Sequence, residues 1–393
     1  MLWINFLHLY QPANSDNYII TEALHKSYLR LVRLLEENPK TKMTFNISGC
    51  LLERLSEMGE NDFISRIDKL IKNKQLELVG SASYHAFLPL IPKEEALHQI
   101  KENEEILFKY FGSDLKLSGF FLPEMAFTNE LAALVKDCGY KWLILDEISA
   151  CCKSEKFDLS RPFIDKNSGL TIILRSRKFS RAYPPDEIAK ILATKDEAEN
   201  KQTIISATDG ELYGLRHEDP TAELEMIAAN EKVTSQNISF FIDSFDKKDF
   251  QEIELRNSSW ESDEADVEKG EAFALWFRKG NKVHKNLWRL TNFALSLDAK
   301  YKDDKSYEWF RWHLKRGIAS CTYWWASAHD FSSDFGPYTW NPDTVERGAG
   351  DLIRAVRSLS NPNSKNEKLK AEKYYLKIKN SLWREHWLKH WPQ

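Results

Sequence analysis

Two carboxylates stand out for what their surroundings would make them cost. Glu124 lies inside the apolar and aromatic stretch Gly119–Phe127, and Asp209 directly follows the apolar run 203–208. An ionised acid among apolar neighbours is expensive to bury unless it is paired or used. Two such acids from separate segments are the equipment of glycosyl transfer. One attacks an anomeric carbon or activates water, and the other protonates the departing oxygen. Spacing alone leaves a second use open, in which each acid merely caps the helix after its strand, the more ordinary role of Asp and Glu.

Something must hold these acids. Seven runs read as buried strands: 2–9, 42–47, 75–79, 116–121, 141–145, 170–174 and 203–208. Most are separated by segments of helical period, among them 21–37, 49–73, 92–110 and 128–138. In the first of these, Leu24, Tyr28, Leu31 and Leu35 share one helix face. Strand–helix alternation predicts an α/β fold with a mostly parallel sheet and helices outside it. Seven strands suit a closed or nearly closed barrel better than a sandwich, and an open doubly wound sheet is the alternative. In either case chemistry gathers at the carboxyl ends of the strands. There stand His8, Tyr10 and Gln11; Asn46; Ser81, Tyr84 and His85; Glu124; Asp146 and Glu147; Arg175; and Asp209 with Glu211.

From about 210 to 280 the regularity fails, with a strand expected at 237–242 inside an irregular, polar connection of the kind that forms lids and binding loops. After residue 280 the period is helical throughout. The expected organisation is a barrel over 1–265 and a helical subdomain over 266–393 that completes the active-site cleft. The 393 residues carry 55 Lys+Arg against 59 Asp+Glu, a net charge of −4 with no bulk attraction for nucleic acid or an anionic membrane. Five cysteines include no CxxC pair, which argues against a disulfide framework or structural zinc; Cys151-Cys152 reads as incidental reduced thiols. No apolar run approaches the ~18 residues of a membrane-spanning helix, and the start has no secretory-signal pattern, so a cytoplasmic location is expected.

Tryptophan is unevenly placed. Of 13, all but Trp3 and Trp142 lie at or beyond residue 260. Trp383, Trp387 and Trp391 recur every four residues and read as a packed stripe, as do Trp309 and Trp312. Trp260 and Trp340 fall in irregular polar segments, where packing explains a tryptophan less well, and are candidate sugar platforms. Trp324 and Trp325 are adjacent and face different ways, so that one at least could reach a cleft.

The chain resembles glycoside hydrolase family 57, the α-glucan-active amylases, branching enzymes and 4-α-glucanotransferases. Four of that family's five motifs occur in order: His8-Leu9-Tyr10-Gln11-Pro12; Gln75 to Gly80 followed by Tyr84-His85; Gly119 to Phe127 around Leu122-Pro123-Glu124; and Ala207 to Gly214 around Asp209-Gly210-Glu211. The fifth is placed in Tyr323 to Asp330. The resemblance implies an incomplete (β/α)7 barrel followed by a C-terminal helical subdomain. It also implies retention of configuration, with Glu124 as nucleophile and Asp209 as general acid/base, carboxyl groups ~5–5.5 Å apart, and no cofactor. His8, Gln11, Glu77 and Glu211 would bond sugar hydroxyls, and Tyr84, His85, Phe121, Trp260, Trp324, Trp325, Asp330 and Trp340 would complete the substrate site. Tyr10 replaces the family's second histidine and Phe121 its usual tryptophan, which puts the glucan specificity in question. The expected function is a retaining hydrolase of α-1,4-glucans or maltooligosaccharides. The alternatives are transfer or branching, a non-catalytic glucan-binding protein, and metal-dependent deacetylation or mannoside hydrolysis through His8, His85 and His217. Tyr10 breaks the His-x-His pair that the last would use, so no metal is expected.

Overall fold

β1 (Leu2–Leu9) divides its side chains between two cores. Ile4 and Phe6 point to one side and Trp3, Leu7 and Leu9 to the other, as the two-residue strand period requires. The same alternation runs through β2 (Met43–Ile47), β3 (Leu76–Leu78) and β8 (Thr203–Asp209). In the computed structural model, which describes residues 1–150, 157–194, 202–329 and 339–391, the parallel order β3-β2-β1-β8 forms one sheet. A second sheet contains β4 (Gly119–Phe120), β5 (Trp142–Asp146), β6 (Phe163–Asp165), β7 (Thr171–Arg175) and β10 (Gln251–Ile253), in the order β10-β6-β7-β5-β4. β9 (Thr234–Ser235) pairs with the start of β1.

The two sheets join into an incomplete seven-stranded barrel, β8-β1-β2-β3-β4-β5-β7, at two different seams. Between β3 and β4 the join is a parallel bridge, Gly80 to Phe120, with Gly80 N–H donating to Gly119 O (3.0 Å) and Phe121 N–H to Gly80 O (2.9 Å). Both glycines are needed: a Cβ on Gly119 would sit 2.1 Å from the Trp142 ring, and one on Gly80 2.1 Å from the Tyr140 hydroxyl. Between β7 and β8 no ladder forms among the described residues. The edge groups are satisfied piecemeal instead. Ser176 N–H donates to Ile205 O (2.9 Å), Ala207 N–H to Ser180 Oγ (3.1 Å), and Arg175 Nη1 to Ala207 O (2.6 Å).

The outer faces of the strands pack against helices, with Leu24, Leu31, Leu35, Leu51, Phe63 and Ile67 among the contributors. Inside the barrel, Ile4, Phe6, Val79, Ile144, Ile173 and Ile205 form the second core. The segment 237–242, expected as a strand, is a helix, Ile238–Asp243, that plugs the amino ends of the strands. Its buried residues Ile238, Phe241 and Ile242 have helical spacing, whereas Phe240 is exposed. The aromatic run resembled a strand, but its buried period is that of a helix.

By internal contacts the chain divides into two units: Met1–Gln11, Ser15–Ser83 and Leu97–Trp260, which hold the barrel; and Pro12–Asn14, Tyr84–Ala96 and Glu261–Gln393. The second unit contains the helices Lys282–Leu297, Tyr307–Gly317, Pro342–Ser358 and Lys365–Glu385. Its tryptophans reverse the expectation for the surface. Trp309, Trp387 and Trp391 are 61%, 54% and 55% exposed, whereas Trp260 (the last residue of the first unit) and Trp340 are only 6% and 1% exposed. The C-terminal helix buries Ala371, Ile378 and Leu382, a stripe one residue out of phase with Trp383, Trp387 and Trp391. Among the described residues, no helix is long and apolar enough to cross a membrane.

Gly119→Ala should destabilise the protein by ~1–3 kcal/mol through overpacking against Trp142. A fall in the urea midpoint at unchanged slope checks this, and an unchanged midpoint contradicts it.

Candidate functional site

The carboxyl ends of the barrel strands bring a polar cluster to the inward face. His8 of β1 lies in register with Asn46 of β2 on one side and Asp209 of β8 on the other. The imidazole Nδ1 donates to Asn46 Oδ1 (2.7 Å), and the ring packs 4.6 Å from Phe121 and 5.7 Å from Tyr10. Burial pulls the imidazole down to about 4 against the raising effect of the Asp209 charge, so at neutral pH His8 offers a neutral ring.

Glu124 sits in the turn Pro123–Met125 that follows β4. It and Met125 both take left-handed backbone angles, φ +62° and +47°, which L-residues adopt at a cost of ~1–2 kcal/mol each. Such strain persists only where its surroundings impose it, and it clusters at functional sites. Here the imposing element is the segment 258–260. Phe127 N–H donates to Ser258 O (2.8 Å), and Trp260 N–H to Glu124 O (3.1 Å). The Trp260 indole Nε1 then donates to Glu124 Oε2 (2.9 Å).

Trp260 is gripped in turn. The Arg175 guanidinium lies 5.1 Å from its ring centre, and Arg177 Nη2 donates to its carbonyl (3.2 Å). Both arginines pair with the fully buried Asp146, at 2.8 and 2.5 Å. Asp146, Arg175 and Asn46 were visible as strand-end residues, but nothing in their spacing told that they serve Glu124 and His8. Arg177 and Arg216 carried no signal.

Asp209 precedes the turn Gly210–Leu212, yet its side chain makes no capping bond to it. It pairs instead with Arg216 Nη1 (2.7 Å). Two residues on, Glu211 is buried, and its Oε1 accepts from Gln11 Nε2 (2.8 Å) and from the Tyr28 hydroxyl. Burial, and next the charge of Asp209, push the Glu211 carboxyl up to about 7.

His8, Gln11, Phe121, Glu124, Asp209, Glu211 and Trp260 therefore all belong to the carboxyl-end region of the barrel unit. Glu77 does not join them. Its side chain points into the barrel two residues lower, where Oε2 accepts from Thr44 Oγ1 (3.0 Å) and from Ser239 N–H at the start of the plug helix (3.0 Å). Tyr84, His85, Trp324, Trp325 and Trp340 belong to the second unit. There Tyr84 lies under Lys315 (4.4 Å to the ring centre), His85 Nδ1 contacts Ser320 Oγ (2.8 Å), and Trp340 Nε1 donates to His386 (3.2 Å). Trp324 and Trp325 are half-buried and meet edge to face. Asp330 and the pair Cys151-Cys152 lie outside the described residues. Asp263, Asp266 and His329 form a group with metal-ligand spacing, but Arg278 Nη2 already donates to Asp266 (2.9 Å) and His329 (3.0 Å) there.

The raised carboxyl of Glu211 gives a pH signature with a definite sign. Folding lifts it from 4.5 to about 7, so its stabilising contribution is complete below pH 4.5 and lost as pH rises through 7. Glu211→Gln keeps an acceptor oxygen for both donors. Relative to the unsubstituted protein it should gain up to ~3 kcal/mol between pH 5 and pH 8. Urea unfolding at the two pH values checks this, and a difference independent of pH contradicts it.

Known proteins agree with this architecture. The α-amylase of Pyrococcus horikoshii is 30% identical over 222 residues, 54% of this chain and 34% of its own length. The 4-alpha-glucanotransferase of Thermococcus litoralis is 29% identical over 225 residues, 54% of this chain and 33% of its own. The match thus spans about a third of these relatives. In structure, the Thermococcus litoralis glucanotransferase superposes with a TM-score of 0.69 at 21% identity, covering 92% of this chain and 60% of that one. A branching enzyme of Thermococcus kodakaraensis also gives 0.69, at 14% identity, with 98% and 95% covered. The profile of Glycosyl hydrolase family 57 matches residues 5–252. This chain belongs to glycosyl hydrolase family 57.

Proposed function

We propose that the chain is a retaining glycosidase of α-1,4-glucans or maltooligosaccharides, with Glu124 as nucleophile and Asp209 as general acid/base. The observation that carries this reading is what the two acids do not do. Asp209 stands at a helical turn without capping it, and Glu124 is held in a costly backbone conformation with its carboxylate fastened from residue 260. Helix capping, the ordinary use of such acids, explains neither. Membership of a family whose members named above are amylases, glucanotransferases and branching enzymes supplies the substrate class.

The chemistry would run in two displacements. A Glu124 oxygen bonds to the anomeric carbon as the glycosidic bond breaks, and the departing oxygen takes the proton of Asp209. Asp209 then accepts a proton from the incoming hydroxyl, which adds to the anomeric carbon as the bond to Glu124 breaks. With water as acceptor the result is hydrolysis, and with a sugar hydroxyl it is transfer. Neutral His8 and Gln11, both beside Asp209 or Glu211, are suited to bonding sugar hydroxyls without competing for charge.

Glu124→Gln should abolish turnover of maltoheptaose, a loss of at least ~1000-fold, while the variant still binds the sugar. Product chromatography checks both the loss and the acceptor: shorter chains indicate hydrolysis, and longer ones transfer. Turnover that survives in the variant removes Glu124 as nucleophile, and binding without turnover by the unsubstituted chain identifies a non-catalytic glucan-binding protein.

A further inference from the structure

The sequence marked Trp260 as a sugar platform, but its geometry is that of a group acting on an acid. The residue is only 6% exposed, its ring lies between the Arg175 guanidinium (5.1 Å) and the rings of Phe121 (5.7 Å) and His8 (6.0 Å), and its one polar hydrogen is donated to Glu124 Oε2. The backbone of the same residue is tied to Glu124 O, and its carbonyl is held by Arg177 and Arg175. A side chain fixed at so many points cannot swing its face toward a ligand without breaking the network. It can hold one oxygen of Glu124.

We propose that the Trp260 indole N–H is a catalytic hydrogen-bond donor on Glu124 Oε2 that favours release of the glycosyl group. Arg175, bound to Asp146, is the positioning residue behind it. The inference rests on Glu124 being the nucleophile.

The two displacements weigh this hydrogen bond differently. In the first, Glu124 donates an electron pair to the anomeric carbon and the carboxylate loses charge, so a donor on Oε2 holds the ground state more strongly than the transition state. In the second, water gives its proton to Asp209 and its oxygen bonds to the anomeric carbon. The electron pair of the bond between the anomeric carbon and Glu124 then returns to Glu124, and carboxylate charge reappears on both oxygens. The donor on Oε2 now strengthens as the reaction proceeds, because hydrogen bonds to charged acceptors are the stronger ones. Trp260 therefore assists the second step at a modest cost to the first.

Trp260→Phe, which keeps an aromatic ring and removes the N–H, tests this with maltoheptaose as substrate. Slowing only the second step should lower kcat by up to about tenfold and lower KM more than kcat, so that plateau kcat/KM does not fall. Its acid limb should move up by about one pH unit, because the charged form of Glu124 has lost a donor. A platform for sugar would give the opposite: KM rises, kcat/KM falls, and the acid limb stays. That result overturns the proposal. A second measurement needs no turnover. In the full chain labelled with 15N-tryptophan, one indole N–H resonance, absent from Trp260→Phe or assigned by Trp260→Tyr, should titrate with a single carboxyl and cease to do so in Glu124→Gln. An indole resonance insensitive to that substitution overturns the hydrogen bond itself. An active Glu124→Gln variant instead sinks the nucleophile assignment, whereas an inactive one beside a platform-like Trp260→Phe sinks only the role of Trp260.

Discussion

One buried guanidinium ties together what a seven-stranded barrel leaves undone. Arg175 ends β7, pairs with Asp146 of the neighbouring strand, donates to Ala207 O across the seam that has no ladder, and covers the Trp260 ring. A buried charge is costly, and it is retained only where pairing and several hydrogen bonds offset the desolvation. Here those bonds also close the barrel edge and fix the segment that reaches Glu124. Removing the ion pair would therefore reach the stability of the seam and the geometry of the acid together.

The strained turn at Glu124 depends on that support. Two successive left-handed residues in Glu124-Met125 would relax if free. They are pinned by a segment, 258–260, from the irregular connection after β8, which bridges back to Phe127 and carries Trp260. The order of dependence runs from a seam between strands, through an ion pair and an indole, to the carboxylate on which the proposed chemistry turns. His8 and Glu211, buried beside Asp209 on the neighbouring elements, carry shifts of opposite kind. Burial biases each towards its uncharged form, His8 by loosening its proton and Glu211 by tightening its hold on one, which limits further charge around Asp209.

Much of the barrel was legible because it rests on local pattern. The seven strand segments, the helices between them and the helical C-terminal region follow from apolar period, and all seven strands form. The segment 237–242 reads as a strand from its aromatic run, but its buried residues have helical spacing and it is a helix. Tryptophan burial differs from what local pattern suggests in both directions. Period places Trp387 and Trp391 on one helix face but does not say whether that face is covered, and an irregular polar segment can still bury Trp260 and Trp340 through long-range contacts. Glu77 showed the same limit: strand alternation turns it inward, but only the plug helix, supplied by distant residues, makes it a partner for Ser239.

The residues themselves determined the strands, their polar carboxyl ends, the two acids and, through ordered motifs, the family. These are properties of short windows, where hydrophobic period and motif spacing are complete within the chain segment. What only the tertiary structure decided is which groups meet: Arg175 with Trp260, Trp260 with Glu124, Gln11 with Glu211, and Glu77 with the barrel plug rather than with Asp209. Those pairs lie far apart in sequence and are joined by hydrogen bonds whose geometry no local pattern encodes. The burial that makes each bond matter is a property of the closed barrel and of no single strand.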